Sequence, residues 1–465
     1  MSYGRGGPTR ALIGPDALTA WLPDGAGRTA ALLVDTAVAT AGITALVRDR
    51  LGRAHWRTAQ TALTAGPDDL AAASALAGGL ADESAGVGLV VAVGGGSVLD
   101  LAKIAALLRA NPVAHTRLTV PQRGGLMGLP GEVTRTVPLL AVPTTLGTGS
   151  ELSAVACLAY PQGKRLILGG VLRPEAALLD PSATATLPRE LVVEGVLEAL
   201  FRAVSPYAGD HRDDHRTEDR LTETVARRLV QLGYEAVRGE EPGDALRLDI
   251  AKLSGLTHGE WLHQGRDPYA VKGWLIANEM SSALGVRKMT AVAALLPHLW
   301  RAVLDGEPRL GSAPRLRRMW AGLRDAAPPD RARALPTDPA DGIAALMDDW
   351  RVGRRLTADG PGRIEALAER TVRAWGAGLP MLGGLRAEDV RRLLDAALSA
   401  DNAQTSATET ASATETASAT ETASATETAS ATETASATET APATETASAM
   451  VTTAAMVTTA HPAHI

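Results

Sequence analysis

Two runs of glycines and hydroxyl residues carry the chemistry most easily read from this chain. The first is Gly94-Gly95-Gly96-Ser97-Val98-Leu99-Asp100-Leu101-Ala102-Lys103. It follows an apolar strand pattern and opens a helix. Glycines there let the backbone approach a pyrophosphate, and the helix N-terminus offers unpaired N–H groups and a positive dipole end. The second is Pro143-Thr144-Thr145-Leu146-Gly147-Thr148-Gly149-Ser150-Glu151, again straight after an apolar strand. Its hydroxyls and small residues suit hydrogen bonds to a nicotinamide ribose and amide. A glycine run alone often marks only a tight turn; the second motif strengthens the dinucleotide reading.

The elements that must position these runs alternate. Ala30–Val34, Gly88–Val93, Pro138–Val142 and Ala176–Leu179 read as buried strands. Ile43–Leu51, Pro67–Asp82 and Val98–Arg109 read as helices. Continuous apolar strands separated by helices predict a parallel sheet covered on both faces. After Asp180-Pro181 the texture becomes helical, with apolar spacing over 188–204, 217–238, 271–285, 289–305, 314–325, 341–350, 362–376 and 387–399. The expected organisation is an α/β dinucleotide-binding domain over residues 1–180 and an all-helical domain over 181–400.

Residues 401–465 form a low-complexity tail. The hexad ATETAS runs seven times from Ala407 to Ser448, once with Pro442 for Ser, and AMVTTA follows twice. A hexad without large apolar residues cannot offset its ordering entropy, so disorder is expected, with a spacer or docking tail as the alternative.

Composition narrows the function classes. The net charge is −6, but seven glutamates lie in the tail, so the rest is nearly neutral. That argues against nucleic acid or an anionic membrane as partner. No apolar run is long enough to span a bilayer, and the first fifteen residues lack a signal-peptide layout. Cys157 is the only cysteine, which excludes an internal disulfide and fits a reducing cytoplasm. Only five of 46 basic residues are lysines: Lys103, Lys164, Lys252, Lys272 and Lys288.

The pair GGGSxxDxxK and PTTxGTGSE resembles the iron-containing alcohol dehydrogenase superfamily, which includes dehydroquinate synthase and glycerol dehydrogenase relatives. The similarity runs from about Tyr3 to Ala400. It implies an N-terminal dinucleotide-binding α/β domain, a C-terminal helical domain and a site in the cleft between them. By this resemblance Gly95, Gly96 and Ser97 hold the pyrophosphate. Thr144, Thr145 and Thr148 lie near adenine, ribose or nicotinamide, and Lys164 matches a ribose-contacting lysine. Asp35 stands where an acidic residue takes the ribose 2′-OH, which favours NAD over NADP; a plain strand-end aspartate is the alternative. Asp100 and Lys103 either join that site or only fix the loop.

The family's divalent metal needs an Asp and a His spaced D-x-x-x-H, and two later histidines. By the same resemblance Glu198 stands at the Asp, Arg202 at the first His, Asn278 at the second and Lys288 at the last. Ser282 stands at a further histidine close to the nicotinamide. Arginine and the lysine ammonium offer only donors, so no catalytic metal is expected. Arg202 and Lys288 instead place positive charge where the cation would be, able to stabilise an alkoxide or an anionic substrate group. A lysine also acts as acid or base when burial and a neighbouring cation lower its pKa. The plain alternatives are a Glu198–Arg202 ion pair at i,i+4 with no catalytic part, and Asn278 and Ser282 merely lining a polar cleft. His211 and His215 read as a solvated loop; His258 and His263 read as packing or surface residues that could also approach the cleft.

The expected activity is metal-independent hydride transfer from a secondary alcohol to NAD. A cation pair favours a β-hydroxy acid, whose β-keto product loses CO2 readily. The stretch Lys252–Pro297, with THGEW, WLIANEMSSALG and RKMTAVAALLP, is similar to dehydrogenases of daptide pathways, which implies oxidation and decarboxylation of a peptide's C-terminal threonine. Partners would be a peptide or small hydroxy acid, with a homodimer or a complex with pathway enzymes. The alternatives are a small-molecule alcohol or polyol enzyme of the same family, its metal-dependent cyclases being disfavoured, and a non-catalytic NAD-binding scaffold.

Overall fold

A computed structural model describes residues 8–398, except 65–68, 83–85, 121, 122, 213, 240, 359 and 361. The repeat tail lies outside the described residues.

Six parallel strands form the main sheet, in the order β1-β9-β6-β4-β2-β3. They are β1 (Arg10–Ile13), β2 (Thr29–Asp35), β3 (Arg57–Leu63), β4 (Val87–Gly94), β6 (Leu139–Pro143) and β9 (Ala176–Leu179). A smaller sheet has the order β5-β8-β7, with β5 (Leu126–Gly128), β7 (Val155–Tyr160) and β8 (Gly163–Leu168). Strands alternate their faces, and both faces of the main sheet are buried. Leu32 and Val34 of β2 join Ile43, Val47 and Leu51 of the helix Gly42–Arg53. Ala31 and Leu33 face the other way, onto Leu99, Ala102 and Ala105 of the helix Gly96–Leu108.

The apolar strands are where their patterns place them, whereas β3 was not expected. Its sequence RTAQTAL is almost wholly exposed, because it is an edge strand with one neighbour. The antiparallel pair β7–β8 was also not expected, although β7 reads VACLAY; it turns through Gly163 at φ 122°. The helix expected over Pro67–Asp82 is Leu70–Ala81, capped by the Asp69 carboxylate accepting from Ala72 N at 2.8 Å.

After Pro181 every regular element among the described residues is helical. The helices Arg189–Ala208, Asp244–Leu256, Lys272–Leu284, Lys288–Leu304 and Arg363–Trp375 matter for the site. Asp244–Leu256 was not expected; the others overlap their predicted spans. One core unites this region, with Val196, Leu200, Ile276, Met280 and Leu295 all nearly inaccessible. None of the helices is long and apolar enough to cross a membrane, among the described residues.

Candidate functional site

The two loops of the sequence motifs leave adjacent strands side by side. Gly94 of β4 pairs in register with Pro143 of β6, and Thr144 N donates to Gly94 O at 3.0 Å. Gly95 is the N-cap of the helix Gly96–Leu108. A Cβ on Gly95 would lie 3.1 Å from Thr145 Cγ2, and one on Gly96 3.2 Å from Thr148 Cγ2, so the two runs form one close cradle. The Thr145 and Thr148 hydroxyls are buried in it without a hydrogen-bond partner. Buried hydroxyls in native proteins are normally bonded, so a cradle with two unpartnered ones fits a polar ligand. Ser97 is exposed in the helix's first turn and Asp35 is partly exposed at the end of β2, its Oδ1 accepting from Ala37 N at 3.0 Å. Pro143, Thr145, Gly147, Leu179, Pro181 and Thr184 line a cavity beside the loop. The last three were not read from sequence as site residues; the signal for Pro181 and Thr184 was the DPSAT turn after β9.

These residues fit a nicotinamide dinucleotide. The cradle and the helix N-terminus would take its pyrophosphate, and Asp35 an adenosine ribose hydroxyl. Lys164 sits on β8, opposite Ala159, and its side chain is partly exposed.

Asp100 and Lys103 act on the loop. The wholly buried Lys103 ammonium donates to Ser150 Oγ at 2.9 Å, Ser153 O at 3.2 Å and Val155 O at 2.9 Å. Asp100 accepts from the Ser150 hydroxyl and from Cys157 N. Burial pushes the Lys103 pKa down, and Asp100 and Glu151 oppose this. Burial pushes the carboxyl of Glu151 up; Lys103 and Arg202 pull against it.

Arg202 is a clamp on the same loop. Its Nη1 donates to Gly147 O at 2.6 Å and Thr257 Oγ1 at 3.2 Å; its Nη2 donates to Thr148 O and Glu198 Oε1, both at 3.1 Å. Four of the five guanidinium N–H groups are thus engaged inside the protein. His258 Nε2 donates to the same Thr148 O at 3.0 Å, and His263 Nε2 to Thr257 O at 2.8 Å. Burial, and then Arg202, holds His258 well below the usual imidazole pKa. A neutral ring is therefore the stable form, with its proton on Nε2 because a carbonyl only accepts.

Trp274 was missed in the sequence and joins the predicted residues. The Arg202 guanidinium and the Lys288 ammonium each lie 5.5 Å from its ring centroid. Two cations on one indole are held by its π-density against their mutual repulsion. Lys288 is the first residue of its helix and is partly buried. Trp274, Asn278 and Ser282 recur every four residues and share a helix face. Asn278 is 1% exposed, and neither its Oδ1 nor its Nδ2 has a hydrogen-bond partner. Ser282 Oγ accepts from Arg370 Nη2 at 2.7 Å. His215 Nε2 bonds Glu223 at 2.9 Å, away from these groups.

The donor set does not fit the divalent metal that the family resemblance implies. Glu198 is occupied by Arg202, Asn278 offers one neutral oxygen, and the two remaining positions are cations. Among the described residues no three His, Cys, Asp or Glu side chains converge as a metal site.

Comparison with known proteins agrees with the fold and the loops. Residues 8–181 match the family model "Iron-containing alcohol dehydrogenase". The chain is 28% identical over 243 residues to aldehyde-alcohol dehydrogenase 2 of Entamoeba histolytica, covering 50% of this chain and 25% of that protein. It is 34% identical over 119 residues to long-chain-alcohol dehydrogenase 1 of Geobacillus thermodenitrificans, covering 26% and 29%. These matches therefore span less than a third of either relative. The fold resembles Escherichia coli YqhD, with TM-score 0.69 and 21% identity over 84% of this chain and 97% of that one. It also resembles NADH-dependent butanol dehydrogenase A of Thermotoga maritima, with TM-score 0.67 and 18% identity over 84% and 97%. Residues 8–181 thus match the iron-containing alcohol dehydrogenase family in sequence, and the chain shares the fold of those two solved structures.

Proposed function

We propose that the protein is an NAD-dependent alcohol dehydrogenase that works without a catalytic metal, on a secondary alcohol bearing a carboxylate. The single observation that carries this reading is the Glu198–Arg202 ion pair beside the nucleotide loop, with Lys288 against the same Trp274 ring. Fixed side-chain charge stands where the family resemblance implies an ion.

Bound NAD would supply the hydride acceptor. Arg202 keeps the Gly147–Thr148 turn in place. Neutral Lys288 would take the hydroxyl proton as the hydride leaves, and the ammonium so formed is the positive charge beside the product oxygen. No carboxylate lies in ion-pair range of Lys288 among the described residues, so its amine is not tied up in an ion pair. The buried Asn278 amide orients the reacting group with one donor and one acceptor. A β-hydroxy acid would become a β-keto acid, losing its C–H pair to the acceptor and its O–H proton to the base. Loss of CO2 follows through an enolate that the same cation stabilises.

The substrate we favour is a peptide ending in threonine, as in daptide biosynthesis, supported by the resemblance of Lys252–Pro297. A second reading, a small-molecule alcohol or aldehyde enzyme, is favoured by the names of the curated relatives, among them NADPH-dependent aldehyde reductase YqhD. NADH formation with a threonine-terminated peptide, against simple alkanols and polyols, separates the two. NADH binding without oxidation of any of them, even with pathway proteins added, would leave a scaffold.

A further inference from the structure

Arg202 was the arginine expected to hold an anionic substrate group, yet nearly all its donors serve the loop and Glu198. A different arginine has the opposite arrangement. Arg370 donates Nε–H to Glu279 Oε2 at 2.6 Å and one Nη2–H to Ser282 Oγ at 2.7 Å. Three of its five N–H groups remain, including both on Nη1, with no partner among the described residues. Its side chain is 30% exposed, whereas Glu279 is wholly buried. Both Glu279 oxygens are engaged, since the other accepts from Trp375 Nε1 at 3.1 Å.

The charge count points the same way. Arg165, 4% exposed, interacts electrostatically with both Glu279 and Arg370. Only Arg370 is ion-paired with Glu279, so with Arg165 nearby two guanidiniums stand against one buried carboxylate and a positive charge is left over. Such a charge is costly unless an anion meets it. Its location is specific. Gly163, at the β7–β8 turn, abuts Arg370 and Glu279. Ser282, which fixes Arg370, lies one turn beyond Asn278 and two beyond Trp274. At 1.5 Å per residue that stripe is about 12 Å long.

We propose that Arg370 is the specificity-determining residue that receives the substrate's carboxylate. Its fixed edge offers a two-point grip that a carboxylate matches. The substrate then lies along the stripe, its hydroxyl toward Asn278 and Lys288 and its carboxylate toward Ser282. This assignment rests on the reading of the protein as a dehydrogenase of a carboxylate-bearing alcohol, and names the residue that would bind that carboxylate. The plain alternative is that Arg370 only neutralises Glu279.

The test uses the full chain with NADH bound, so that no oxidation occurs. Binding of N-acetylthreonine and of N-acetylthreoninamide is compared by calorimetry; the two differ only in the carboxylate. Wild type should prefer the acid at least tenfold. Arg370→Lys, with charge but no fork, should lose most of that preference while keeping the affinity for the amide. Because a lone Arg370→Met strands Glu279, the paired variant Glu279→Leu with Arg370→Met is the second arm, and it too should bind acid and amide alike. No preference in wild type, or a preference intact in both variants, overturns the assignment. The same titrations without NADH remain readable if NADH fails to bind, a result that would count against the dehydrogenase reading instead.

Discussion

Arg202 and Glu198 are paired at 3.1 Å, one helical turn apart, with each side chain 13% exposed. At the two positions where the family resemblance implies an acidic ligand and a histidine, this chain has an internally neutralised pair. The Arg202 partners also show what the pair holds, namely the carbonyls of Gly147 and Thr148.

Arg202→Met should therefore act first on stability and nucleotide binding. It leaves Glu198 buried without its partner, a change that costs about 3–5 kcal/mol. Adding Glu198→Gln should recover part of the melting temperature but little of the NADH affinity, because Gly147 O loses its Arg202 donor and Thr148 O keeps only His258. Thermal unfolding and NADH fluorescence titration measure the two effects separately.

Asn278→Leu should separate stability from activity. Both amide atoms are buried and unpartnered, so an apolar residue of similar size removes an unmet demand. The melting temperature should hold or rise, by up to about 1 kcal/mol of stability. Turnover should fall by about a hundredfold, in line with loss of one positioned group. A stable variant with full turnover would leave Asn278 without a substrate role.

The loop glycines give a binding prediction. Gly95→Ala and Gly96→Ala put a methyl about where a pyrophosphate must approach the helix N-terminus, already near Thr145 and Thr148. Each should weaken NADH at least tenfold with little loss of fold. Asp35→Ser should narrow the gap between NADH and NADPH, because the carboxylate that repels a 2′-phosphate is gone.

His258 supplies a pH dependence. Its pKa in the folded chain is depressed by burial, so the unfolded chain binds a proton that the folded one resists. Stability from this group is complete above about pH 6.5 and falls as the pH drops toward the folded value, by at most about 1.4 kcal/mol per unit. His258→Gln, which keeps a donor for Thr148 O, should flatten the slope of melting temperature between about pH 6.5 and 5.

The sequence displayed the parallel sheet and the nucleotide loops because both depend on local pattern. Leu32 and Val34 alternate with Ala31 and Leu33 in an unbroken apolar run, and the glycines stand where a backbone must come close. The polar edge strand β3 gave no such run. Trp274 and Arg370 were invisible for another reason. Trp274 has meaning only as the ring shared by Arg202 and Lys288, and Arg370 only against Glu279, 91 residues away. The same holds for Arg202: its type was visible, but the carbonyls that use up its donors were not.

The central claim is that side-chain charge replaces a divalent ion in hydride transfer. The most direct measurement is NADH formation with a threonine-terminated peptide by the full chain, before and after exhaustive chelation, with metal content measured alongside. The account predicts undiminished turnover with far less than one metal per chain. Turnover abolished by chelation and restored by iron or zinc would contradict it.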